Sequence, residues 1–163
     1  AVGPGGAGTG AARTDGAAGV GFPGDVLVRR TRHVVTEIAR TQELVSLLND
    51  PAPLTGDKLT AVGALMDASH ESLRVDYEVT CPELDVAVAA ARAAGAHGAR
   101  MTGGGFGGSA IALVDVGAVQ TVATGVVAAY EKEGLGVPAF LDALPSAPAG
   151  RLPRYPGPGD GAN

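Results

Sequence analysis

Five glycines surround a single phenylalanine between Thr102 and Ser109, in the run Thr102-Gly103-Gly104-Gly105-Phe106-Gly107-Gly108. No regular helix or strand tolerates that density of glycine, because each one forfeits backbone entropy without supplying packing. The segment must therefore be a connection. The residues on either side, Gly98–Thr102 and Ser109–Val114, have the character of short strands. A chain with this centre reads as two strands joined by a loop free to adopt positive φ at several positions. Successive N–H groups of such a loop can turn into one concavity, which is how backbones cradle anions such as phosphate. The loop has no Walker lysine and does not open a helix directly after a strand, so it is neither a P-loop nor a dinucleotide fingerprint. Read on glycine content alone, a flexible strand connection explains it equally well.

Composition sets the limits of the folded part. Residues 1–24 hold nine glycines and almost no large apolar side chain. They cannot bury enough surface to offset their entropy, so a disordered Gly/Ala-rich leader is expected. From Pro145 to Asn163 five prolines and four glycines recur among polar residues, which predicts an irregular tail. One domain over residues 25–144 remains. Its core must be built from Ala, Val and Leu, since aromatic residues make up 4% and Trp is absent.

Periodicity fills in the helices. Val34, Ile38, Thr41, Val45 and Leu48 follow helical spacing between Val28 and Leu48, and Asn49-Asp50-Pro51 reads as the stop. A second helix is predicted over Asp57–His70, with Leu59, Val62, Leu65 and Met66 inward. A third begins at Cys81-Pro82-Glu83, with Pro82 in the first turn, a stripe of Leu84, Ala87, Val88 and Ala91, and Gly95 as its end. A fourth covers Gly117–Glu133, carrying Val119, Val122, Val126, Val127 and Tyr130, and Val137–Phe140 is read as a last short strand. Helices interspersed with short strands predict an α+β domain of two layers, helices packed on a small, mainly antiparallel sheet.

A net charge of −5 gives no electrostatic footprint for nucleic acid or an anionic membrane. No apolar run approaches the roughly 20 residues of a membrane span. Cys81 is the single cysteine, which excludes an internal disulfide and fits a reducing cytoplasm. His33 and His70 titrate near neutrality in principle, but each falls within a helical pattern and reads as a packed histidine. Glu37, Glu83 and Asp85 form no convergent carboxylate pair by spacing, and capping or solvated roles are expected. Cys81 at a helix start reads as structural, and Phe106 as a plug beneath the loop. No catalytic residue and no metal ligand is assigned.

Four blocks make the chain recognisable: Arg32-His33-Val34-Val35-Thr36-Glu37, Leu65-Met66-Asp67-Ala68-Ser69-His70-Glu71-Ser72-Leu73-Arg74, Asp76-Tyr77-Glu78-Val79-Thr80-Cys81-Pro82-Glu83-Leu84-Asp85 and Gly98 through Gly108. In order and spacing they resemble galactokinases, members of the GHMP family of small-molecule kinases, over residues 27–140. The last block resembles that family's third motif. The resemblance implies a GHMP kinase C-terminal domain and the transfer of the ATP γ-phosphate to the C1 hydroxyl of galactose, with magnesium. It implies that Thr102, Gly103, Gly104, Gly105, Phe106, Gly107 and Gly108 border the nucleotide phosphates, at a site shared with an N-terminal kinase domain. There are departures. The Gly-Glu-His-Thr-Asp run, the Ser-rich ATP loop, and with them the family's catalytic Asp and its Arg partner have no counterpart here. Ile38, Thr80 and Ser109 stand where the family has Asn, Ser and Cys. The expectation is a C-terminal half that is inactive alone: a fragment, a truncated product or a remnant. The alternative is a non-catalytic regulatory or anion-binding remnant.

Overall fold

The computed structural model describes residues 23–143 and 150. The expected leader, residues 1–24, and tail, residues 145–163, lie outside the described residues except for Pro23, Gly24, which already opens the first helix, and Gly150. Helix α1 spans Gly24–Asn49 and α2 spans Gly56–Ser72, which runs directly into a π-helical turn at Leu73–Tyr77. Helix α3 (Pro82–Ala93) leads to the hairpin strands β1 (Gly98–Thr102) and β2 (Ser109–Leu113), and α4 (Val119–Lys132) follows a short 3-10 turn. The strands are antiparallel, with Gly98 opposite Leu113 and Thr102 opposite Ser109. This is the α+β arrangement expected, with helices packed on a small antiparallel sheet.

Pro82 occupies the first turn of α3, where a missing N–H costs nothing, and Gly95 takes φ +105° just past its end. The main core lies between α3, α4 and the inner face of the hairpin. There Val88, Ala91, Ala99, Val122, Val126 and Tyr130 are buried together. Leu73, Val79, Leu84 and Met101 form a second cluster nearer the glycine-rich end. Tyr130 buries its ring and donates its hydroxyl proton to the Glu83 carbonyl at 2.7 Å, so the polar tip is satisfied.

Helix α2 occupies the edge of β1 where a third strand would pair. The N–H of Ala99 donates to Asp67 Oδ1 at 3.0 Å, and the N–H of Met101 donates to His70 Nδ1 at 3.2 Å. Two side chains three residues apart on one helical face thus satisfy two alternate N–H groups of a strand. The approach is close because Gly63 and Gly98 meet backbone to backbone. A Cβ on Gly63 would lie 1.9 Å from the His97 carbonyl oxygen, and one on Gly98 would lie 2.4 Å from that of Gly63.

The structure settles the inward face of the first helix, which the spacing left open, and corrects one sequence reading. Val34, Ile38, Thr41, Val45 and Leu48 do mark a helix, but that stripe is exposed; α1 turns His33, Glu37, Arg40, Leu44 and Leu47 toward the domain. Val137–Phe140 is not a strand. The segment makes no ladder, and Val137 is 89% exposed, because the described sheet ends at β2. The π-helical turn, by contrast, had no periodic signature in the sequence.

Gly63→Ala is expected to destabilise the fold by about 3 kcal/mol, because the added methyl meets backbone that cannot yield. Gly117→Ala, in open space, should stay within about 0.5 kcal/mol of the parent. Urea unfolding of the two variants checks both.

Candidate functional site: the glycine-rich hairpin loop

The loop between β1 and β2 owes its shape to its glycines. Gly103 and Gly105 have φ +86°, Gly107 +129° and Gly108 +98°, a region that side chains bearing Cβ rarely enter. Phe106 enters it as well, at φ +59°, which costs a non-glycine residue about 1 kcal/mol. Its N–H donates to the Val79 carbonyl at 2.7 Å, and this bond anchors the loop to the segment between the π-helical turn and α3. Gly105 lies against the same residue, and a Cβ there would come within 2.2 Å of the Val79 oxygen. The loop is therefore seated at one point, while Gly103, Gly104, Gly107 and Gly108 face open space. Among the described residues, none accepts a hydrogen bond from the N–H groups of those four glycines. These are the donors an anion would use.

The reading of Phe106 as a plug beneath the loop is overturned. Its side chain stands out from the tip, 78% exposed, because the backbone bond to Val79 directs the ring away from the core. Neither Val79 nor its role was apparent in the sequence. A hint lay in the β-branched residue flanked by Glu78 and Thr80, where a helix has to end before Cys81-Pro82.

The histidines and carboxylates are placed in structural contacts. His70 is buried, accepts from Met101 at Nδ1, and so carries its proton on Nε2, 3.3 Å from Asp85 Oδ1. Asp85 also receives the Thr80 hydroxyl at 3.3 Å. His33 is buried too; it donates to Ser72 Oγ at 3.0 Å, and Ser72 in turn donates to Asp76. Its ring stacks on Tyr77 with centroids 4.5 Å apart. Burial lowers the pKa of both histidines, and neighbouring carboxylates only partly oppose it. Burial pushes the Glu37 carboxyl up, but the Ser69 hydroxyl, Arg40 and Arg100 outweigh it and hold its pKa below the ordinary value. Cys81 is a half-buried free thiol at the start of α3, and Glu83 is exposed. Among the described residues no group of three His, Cys, Asp or Glu side chains is placed to hold a metal ion.

Comparison with known proteins defines the class first. Residues 55–132 match the family described as GHMP kinases C terminal, so this part of the chain is a GHMP kinase C-terminal domain. Within that class it is the galactokinase C-terminal domain that it matches. The galactokinase of Streptomyces coelicolor is 49% identical over 124 residues, which cover 76% of this chain and 30% of that protein. The galactokinase of Exiguobacterium sibiricum is 51% identical over 121 residues, covering 74% and 29%. The crystal structure of Lactococcus lactis galactokinase complexed with galactose is 43% identical and superposes with a TM-score of 0.60, over 67% of this chain and 27% of that one. The chain thus spans about 30% of the length of the curated relatives it matches.

The histidine contacts predict a pH dependence. A buried histidine with a lowered folded pKa opposes protonation, so stability is full above the ordinary value of 6.5 and falls as pH drops through it. The urea midpoint should decrease between pH 7.5 and pH 5.5. Replacing both residues, His33→Gln with His70→Gln, should flatten that slope, as circular dichroism at a series of pH values would read.

Proposed function

We propose that this chain is the C-terminal portion of a galactokinase-like sugar kinase, and that residues 25–144 contribute one wall of a nucleotide site. The loop Thr102–Gly108 would receive the phosphates of ATP, with magnesium supplied alongside the nucleotide, in the transfer of the γ-phosphate to the C1 hydroxyl of galactose. The observation that carries this reading is the seated loop. Four of its five glycines take positive φ around one anchor at Val79, and the N–H groups of Gly103, Gly104, Gly107 and Gly108 remain unused within the described fold. Preorganised donors of that kind stabilise charge on a transferring phosphoryl group without having to reorganise during the reaction.

In this reading His33, His70 and Glu37 act structurally and are not reacting groups. His33 and His70 are committed to Ser72 and to Met101, and Glu37 is held by Ser69, Arg40 and Arg100. A catalytic base and the other walls of the site would come from the part of a kinase that precedes this domain in the longer relatives. The chain alone should therefore be inactive, since positioning both substrates contributes a large share of the catalysis. A protein of this kind would work in the cytoplasm, where ATP is available.

A coupled ADP-release assay with galactose, ATP and magnesium should show no turnover by the purified, folded chain. Adding a separately produced N-terminal portion of the Streptomyces coelicolor galactokinase should restore galactose-dependent turnover. Gly105→Val, which collides with Val79, should cut the restored rate by about 100-fold, a loss typical of misplaced oxyanion donors. Turnover by the chain alone would overturn the reading. Binding of the N-terminal portion without restored turnover would favour a non-catalytic remnant.

A further inference from the structure

Among the described residues two that bear a Cβ hold positive φ, Glu78 and Phe106, both at +59°. They are joined through one residue. Val79 follows Glu78 in the chain, and its carbonyl accepts the Phe106 N–H at 2.7 Å. Glu78 itself ends the π-helical turn in the left-handed conformation, at φ +59° and ψ +45°. That conformation commonly closes helices, and glycine usually supplies it, because a Cβ makes it costly. It folds the chain back, so that the Val79 N–H donates to the Leu73 carbonyl at 3.1 Å. The Val79 side chain is then buried with Leu73, Leu84 and Met101. With its N–H and side chain both held, Val79 presents its carbonyl to the loop from a fixed place.

We propose that Glu78 is a positioning residue for the glycine-rich loop: its left-handed backbone sets the Val79 carbonyl on which the loop is seated. The inference rests on the reading of that loop as a phosphate cradle, and adds the residue that keeps the cradle in place. A Cβ on Gly105 would come within 2.2 Å of the Val79 oxygen, so the loop follows that atom closely. The unused N–H groups of Gly103 and Gly104 lie on one side of this anchor, and those of Gly107 and Gly108 on the other. Phe106 is itself strained, so its conformation has to be imposed from outside the loop. Among the described residues the Val79 carbonyl is the one backbone acceptor beyond the hairpin that the loop reaches. Glutamate stands in a glycine's position because its carboxylate has a second task. Arg29 and Arg30 of α1 reach it at 3.2 and 2.7 Å. The backbone serves the loop, and the side chain serves α1.

Amide hydrogen exchange of the whole chain, read by NMR, tests the proposal without any ligand. Glu78→Val brings in a β-branched residue that the left-handed region disfavours, and should speed exchange at Phe106 by about tenfold or more. Glu78→Gly loses the arginine contacts but keeps the conformation, and should stay within about threefold of the parent. Gly134→Val imposes a similar strain at φ +67°, past the end of α4, and should leave Phe106 as it is in the parent. With the N-terminal portion of the Streptomyces coelicolor galactokinase added, Glu78→Val should lower the restored kcat about tenfold with KM for galactose unchanged, and Glu78→Gly should recover it. A Phe106 amide indifferent to Glu78→Val would overturn the proposal, as would equal acceleration by Glu78→Gly or Gly134→Val. Faster exchange with an unaltered kcat would overturn it as well, since the loop would then move without consequence for the reaction. If the parent chain restores no turnover, it is the kinase reading that fails, and the exchange rates decide the role of Glu78 by themselves.

Discussion

Two N–H groups on the edge of β1, those of Ala99 and Met101, organise much of what surrounds them. A two-stranded hairpin is marginal by itself, and an unpaired edge invites pairing with other chains. Here Asp67 and His70 accept those two protons, and α2 comes near enough to do so only because Gly63 and Gly98 lack side chains. The same contact fixes the direction in which β1 delivers Thr102 to the glycine-rich loop. Asp85 stands behind His70, so the α3 start, the α2 end and the loop base share one set of polar contacts. The loop is thereby held at its base by α2 and at its tip by Val79.

Helix α1 is attached by another kind of force. Arg29 and Arg30 reach Glu78 at 3.2 and 2.7 Å, and Arg32 reaches Asp76 at 2.9 Å. Arg30 also donates to the Asp76 carbonyl, and its guanidinium lies over the Tyr77 ring. Farther along, Glu37 joins Arg40 and Arg100. The π-helical turn makes this possible by widening the end of α2, so that Asp76, Tyr77 and Glu78 all present themselves to α1. His33, which the sequence reads as a packed histidine, here joins these arginines and carboxylates in the fastening between two helices.

The elements were largely legible before the structure because their signals are local. Pro82 after Cys81, Gly95 at the end of α3, and the valine steps of α4 each report on a few neighbouring residues. The hairpin was legible because the glycines could belong only to a connection. What sequence did not reveal was which of two apolar stripes on α1 faces inward, since Val34, Ile38 and Val45 have better helical spacing than the partly polar side that docks. The side is decided by Ser72 and Asp76, about 40 residues away. Phe106 failed for a similar reason. An aromatic residue among glycines suggests burial, but the bond from its N–H to Val79 settles its direction, and that bond joins residues 27 apart in the chain.

The fastening of α1 bears on the order in which the molecule comes apart. The hairpin, α3 and α4 are contiguous in the chain and share an apolar core, whereas α1 depends on partly exposed ion pairs, which contribute little individually and weaken as salt shortens the Debye length to about 3 Å at 1 M. The chain thus contains two regions of unequal persistence. Residues 82–132 form the part that endures, and α1 is an arm whose hold depends on the ionic medium around it, releasing and re-engaging as a subglobal unit while the glycine-rich hairpin keeps its place.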